Sequence, residues 1–206
     1  MKVGVVIGTI REGRQSPKQA KWVMNALKDF EDVEAELIDL KDYPMPFFDE
    51  PISPRYNQNR TIDPRVKKFL DAMNHQDAYV FVTPEYNHSI PAVLKNAFDY
   101  MTWEMQRKPA AIVSHGTVGG ARAAMHLKEI ISEGQAVPIS KFVAFHGMSE
   151  GLDDDGNLSD ALKQNPYGPQ AQLQGMLEDL VWYGEALKAA RENTVNLEAE
   201  ETADKA

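Results

Sequence analysis

Cysteine is absent from all 206 residues. That removes disulfides, iron–sulfur ligation, thiol nucleophiles and dithiol exchange together, so any electron handling calls for an organic cofactor. Long apolar runs are missing too, and no segment approaches the length needed to cross a bilayer, so no membrane partner is expected. The opening Met1-Lys2-Val3-Gly4-Val5-Val6-Ile7-Gly8 is too short and too soon polar for a secretory signal. It reads as a strand, and the expected location is cytoplasmic. Positive charge is scarce, with 22 Lys and Arg against 31 Asp and Glu and a formal net charge of -9. Phosphodiester backbones call for clustered cations, so no nucleic-acid partner is expected and any functional positive charge has to be local. His75, His88, His115, His126 and His146 show no metal-ligand spacing, and no metal site is expected. The acidic run Asp153-Asp154-Asp155-Gly156-Asn157 hints at a calcium loop, but that register puts Gly151 and Leu162 at the outer ligand positions. It reads as a solvated turn.

Two phosphate motifs are missing as well. No Gly-x-Gly-x-x-Gly occurs, which removes the dinucleotide fingerprint. Gly8 and Gly13 have P-loop spacing, yet Arg14 and Gln15 stand where Lys and Ser/Thr are required, which argues against nucleotide hydrolysis.

Five apolar, β-branched segments are present, over 2–7, 35–40, 78–83, 110–114 and 137–145, and they alternate with helical periodicities. This pattern predicts a parallel α/β sheet wound on both faces. Helices are expected from Ser16, as N-cap with Pro17 and Gln19 behind it; from Asp63-Pro64; after Pro91; and from Ala121 to a Gly134 cap. A last helix is expected over about 170–190. The domain is read as residues 1–190, followed by an acidic, disordered tail over 191–206. The long segment 41–62 holds four prolines and four aromatics, and it suits a substrate wall, a partner contact or simple packing over the sheet edge equally.

Three loops at strand ends are candidates for ligand contact. Thr9, Arg11, Arg14 and Ser16 surround a helix start, where N–H groups, hydroxyls and guanidinium forks suit a phosphate. A cap with two solvated arginines would look the same. Pro84-Glu85-Tyr86-Asn87-His88-Ser89 offers an aromatic ring and polar edges, although alone it is equally an ordinary surface loop. Ser114 to Gly120 carries three glycines, which let a backbone approach a ligand or simply make a tight turn. In the flavodoxin-like strand order 2-1-3-4-5 all three loops meet at the switch point. A phosphate after strand one and an aromatic ring after strands three and four describe flavin mononucleotide.

The stretch Pro84-Glu85-Tyr86-Asn87-His88-Ser89-Ile90-Pro91-Ala92-Val93-Leu94-Lys95-Asn96-Ala97-Phe98-Asp99 resembles the signature of the NADPH-dependent FMN reductases nearly residue for residue, and Gly8-Thr9-Ile10-Arg11-Glu12-Gly13-Arg14 is similar to their first loop. The family includes azoreductase-like, quinone-reducing and chromate-reducing members. The resemblance implies a flavodoxin-like fold. It also implies FMN with NADPH or NADH as co-substrate, reduction of flavin, quinone, azo or similar small acceptors, and a homodimer or homotetramer. With one ring face against the protein, nicotinamide and acceptor share the other, so ping-pong order is expected. It places the phosphate on Thr9, Arg11 and Ser16, the ring and ribityl on Pro84, Glu85, Tyr86 and Asn87, and the far side on Ser114, Gly116 and Gly119. No side chain is expected as general acid or base, because the flavin N5 carries the chemistry. Thr9 stands where serine is usual and keeps the hydroxyl. Lys18 stands where many relatives have asparagine. A non-catalytic flavodoxin-like electron carrier, or a flavin-binding interaction protein, is the alternative.

Overall fold

The computed structural model describes residues 1–57, 59–147 and 150–203, with side chains through Thr194. Burial on both faces marks a strand inside a wound sheet, and β3 (Ala78–Pro84) is buried at every position. It lies between β1 (Lys2–Ile7) and β4 (Pro109–Gly116), and β2 (Glu34–Asp39) pairs with the outer side of β1. All pairings are parallel, with Val5 opposite Leu37 on one side and Val80 on the other, and Phe81 opposite Ile112. The order is the flavodoxin-like 2-1-3-4-5.

The fifth position differs from the single strand expected over 137–145. Two short pieces, β5 (Val137–Pro138) and β6 (Val143–His146), both pair with β4. Pro138 has no N–H for the ladder, and the chain leaves the edge until Val143.

Alternate strand residues feed two cores, which is what a doubly wound sheet requires. Val3, Val5, Ile7, Val80, Val82 and Val113 pack with α1 (Ser16–Leu27) and with Leu173, Met176, Leu177 and Leu180 of the last helix. Val6, Phe81 and Ile112 pack with α2 (Pro64–Asn74), α3 (Ala92–Tyr100) and α4 (Ala121–Glu133). A short α5 (Asp160–Lys163) precedes α6 (Pro169–Ala203), which runs on past Ala190, where the apolar stripe ends.

The helix ends agree with the sequence in part. Asp63 caps α2 by accepting the Arg65 N–H at 2.8 Å, with Pro64 first in the helix. Gln15, not Ser16, is the N-cap of α1; Ser16 is already helical and its hydroxyl turns inward. Gly134 does stand at the end of α4, but with right-handed φ, and Gln135 takes the left-handed position at φ 56°. The 41–62 segment packs on α3, where Asn96 accepts the Phe48 N–H at 2.8 Å and donates to the Pro46 carbonyl at 2.7 Å.

The 153–157 turn is more than solvated. Asp153 accepts the N–H groups of Asp155 and Asn157, and Asp154 and Asp155 reach Lys18 and Lys21 of α1. Gly156, at φ 79°, presses on α1 so closely that a Cβ would stand 2.7 Å from the Lys21 Cβ and against the Trp22 nitrogen. Gly156→Ala combines a left-handed backbone with this clash and should lower stability by about 1–3 kcal/mol. The expected readout is a lower urea midpoint at unchanged slope. An unchanged midpoint would mean that the turn is free to move off α1.

Candidate functional site

The carboxyl ends of β1, β3 and β4 lie side by side, and backbone bonds tie their loops together. The Gly8 N–H donates to the Val82 carbonyl and the Glu85 N–H to the His115 carbonyl, both at 2.9 Å. Tyr86 and Ser89 exchange two backbone bonds across Asn87 and His88, whose φ values of 50° and 67° give a tight left-handed turn. The Tyr86 hydroxyl lies 3.1 Å from Thr9 Oγ1, and the Arg11 guanidinium sits 5.7 Å above the tyrosine ring. In the third loop, Ser114 Oγ donates to the Gly119 carbonyl at 2.9 Å. Gly120, at φ 73°, lies on the His115 backbone, where a Cβ would come within 2.8 Å of N and O.

These loops enclose a cleft of about 430 Å³, lined by residues 11–15, 84–86 and 115–117. A second hollow of about 400 Å³ shares Arg11 and Tyr86 with it and is walled by Ile10, Met45, Phe47, Pro91 and Val93. Both lie within the size range of small-molecule sites.

The cations around the cleft differ in what they have left to offer. Arg14 is committed to both carboxylate oxygens of Asp39, at 2.6 Å for Nη1, and to the Thr9 carbonyl. Arg122 pairs with Glu85 at 3.1 Å, and Lys18 pairs with Asp154 at 2.8 Å. Arg11 has no carboxylate partner among the described residues. Burial works to raise the Glu85 carboxyl pKa, but hydrogen bonds from the Arg122 side chain and from the Ala123 and Arg122 N–H groups outweigh it and hold the pKa below its usual value. Burial pushes the His115 imidazole down to about 4, so the ring is neutral.

Of the residues expected from sequence, Arg11, Arg14, Pro84, Glu85, Tyr86 and Gly116 line the cleft. Thr9 faces the adjoining hollow and is buried, with its hydroxyl on Tyr86. Ser16 and Ser114 are fully buried, so their hydroxyls serve internal bonds. Gly119 backs onto Ala144 and His146, and Asn87 forms the turn beyond the cleft. Sequence reasoning missed Glu12, Gly13, Gln15, His115 and Thr117 on the lining, and Asp39 as the partner of Arg14. The available signal for His115 was a titratable side chain directly after a buried strand, inside a glycine-rich loop.

The walls suit a mononucleotide. Among the described residues the Arg11 guanidinium has no carboxylate partner and lies beside a helix start, Gly116 lines the cleft, and His115 Nδ1 is buried without a partner. A family model described as NADPH-dependent FMN reductase matches residues 1–150. The chain belongs to this family. It is therefore an oxidoreductase that uses FMN and a nicotinamide nucleotide. It is 36% identical over 129 residues to an NAD(P)H-dependent FMN reductase of Schizosaccharomyces pombe, a match spanning 63% of this chain and 64% of that protein. With an NAD(P)H-dependent FMN reductase of Nectria sp. it shares 28% identity over 200 residues, 93% of this chain and 99% of the relative. The solved flavoenzyme FerB of Paracoccus denitrificans, an NAD(P)H:(acceptor) oxidoreductase, superposes with a TM-score of 0.71 at 24% identity, covering 90% of this chain and 97% of FerB; this likeness speaks to the fold.

The neutral His115 has a consequence for stability. Its pKa falls from about 6.5 in the unfolded chain to about 4 in the fold, so on acidification the unfolded chain takes up the proton first. The stabilising contribution is complete above pH 6.5 and is lost as pH falls toward 4. Relative to His115→Gln, the wild type should lose up to about 1.4 kcal/mol of unfolding free energy per pH unit across that window. A pH-independent difference in urea titrations would show that the ring is charged or open to water.

Proposed function

We propose that this reductase holds FMN in the 430 Å³ cleft with the phosphate at loop 9–16 and the ring against loops 84–89 and 114–120. The observation that carries the placement is Arg11, in the loop that leads into α1, which has no carboxylate partner among the described residues while the cations near it are neutralised. Arg11 and the first-turn N–H groups of α1 bind the phosphate. Pro84, Tyr86 and Gly116 border the ring and ribityl, and Thr9 holds Tyr86 in place. Glu85 and Arg14, also on the lining, fix α4 and the first loop through their ion pairs. When bound, FMN supplies hydride chemistry between NAD(P)H and a small acceptor.

The hollow beside Arg11 and Tyr86 is walled mainly by apolar side chains, which favours flat acceptors such as flavins, quinones or azo compounds. Nicotinamide and acceptor use this one approach in turn, which makes the kinetics ping-pong. Phe47 and Tyr56, 79% and 85% exposed in the 41–62 segment, support a homodimer or homotetramer that covers them. A cytoplasmic setting agrees with the lack of cysteine, and no helix among the described residues is long and apolar enough to cross a membrane.

The purified protein should be yellow or take up added FMN stoichiometrically. A protein that binds no FMN overturns the proposal. Arg11→Ala should weaken FMN at least tenfold with the fold intact, since a charge-assisted contact is worth about 1.5–3 kcal/mol. Unchanged affinity by titration would put the phosphate elsewhere. Double-reciprocal plots of initial rates should give parallel lines, and intersecting lines would indicate separate, simultaneously occupied sites.

A further inference from the structure

His115 is used by no step so far, although it is the one titratable group buried at the cleft. It stands one residue before the end of β4, opposite Pro84, and is only 5% exposed. Its Nε2 lies 2.8 Å from Ser16 Oγ, and its Nδ1 has no partner. Ser16, the first residue of α1, is fully sealed from solvent. Its hydroxyl bonds inward to the imidazole, while Gln15, the residue before it, lines the cleft.

Hydrogen-bond accounting selects the tautomer. If Nε2–H donates to Ser16, both the serine O–H and the bare Nδ1 go without partners. If Ser16 O–H donates to Nε2, only Nδ1–H is left over. The second arrangement leaves fewer orphans and makes the imidazole an acceptor for Ser16. Gln19, three residues on and on the same face of α1, is also fully buried with both amide atoms unpartnered. Ser16, His115 and Gln19 are thus buried polar side chains at the first turns of α1 and the strand end beside it.

We propose that His115 is a positioning residue for the cofactor phosphate: by accepting the Ser16 hydroxyl from below, it fixes the first turn of α1 so that its N–H groups stay aimed into the cleft. Neither Ser16 Oγ nor the imidazole needs to touch the phosphate. The burial that keeps the ring neutral keeps Nε2 available as an acceptor. The assignment rests on the placement of FMN proposed above, and it moves Ser16 from phosphate ligand to anchor.

The test compares FMN with riboflavin, which lacks the phosphate, on wild type, His115→Leu, His115→Gln and Ser16→Ala. His115→Leu should weaken FMN about tenfold more than it weakens riboflavin, the difference expected for one well-placed hydrogen bond. His115→Gln, whose amide oxygen can accept from Ser16, should recover FMN affinity to within about threefold of wild type. Ser16→Ala should mimic His115→Leu, and the double variant should be no worse than either single one. Equal losses for FMN and riboflavin, failure of the glutamine to rescue, or additive effects in the double variant would each overturn the assignment. Wild-type protein that binds riboflavin and FMN equally well would instead refute the phosphate placement itself.

Discussion

The parallel pairing of β1 with β3, carried one residue further by the bond from Gly8 to Val82, is what the site depends on. It brings the loop after β1 and the loop after β3 to the same level, so that Thr9 can reach Tyr86 and Arg11 can cover its ring. Pairing of β3 with β4 does the same for the third loop, through Pro84 opposite His115. Because all strands run the same way, every loop at this end is preceded by a strand and followed by a helix start. Helix N-termini accumulate at the cleft for that reason alone, and a setting that favours negative charge follows from topology before any side chain is chosen.

The sheet was legible because its central strands are short apolar runs bounded by turn residues. Val80 and Phe81 need no alternation to be read as strand when both faces are covered. The meeting of the three candidate loops around one cleft was legible, because glycines, Arg11 and Tyr86 fall at strand ends where only ligands or turns need them. Roles were less visible. Nothing local in the sequence tells whether Arg14 meets a phosphate or Asp39, since that depends on the adjacent end of β2. Ser16 fits a cap pattern perfectly well, yet His115, 99 positions away, takes its hydroxyl. Pro138 could have announced the break in the fifth strand, because a missing N–H interrupts a ladder.

Charge is managed locally against an acidic background. Three cations near the cleft are neutralised by Asp39, Glu85 and Asp154, which fixes the first loop, α4 and the 153–157 turn. The carboxylates therefore act as braces, and the electrostatic attraction left for an incoming anion is concentrated on Arg11. A net charge of -9 and a guanidinium at the cleft with no carboxylate partner among the described residues are compatible because the relevant field is short-ranged at physiological ionic strength.

The broken fifth strand has a bearing on how copies of the chain can meet. One border of the sheet is two short pieces separated by a detour. The other, β2, presents Glu34 and Glu36 on exposed positions. Neither border offers the long, flat, uncharged backbone that strand addition requires. Edge-to-edge pairing of copies into a continuous intermolecular sheet, and with it fibre-like growth, is thereby disfavoured.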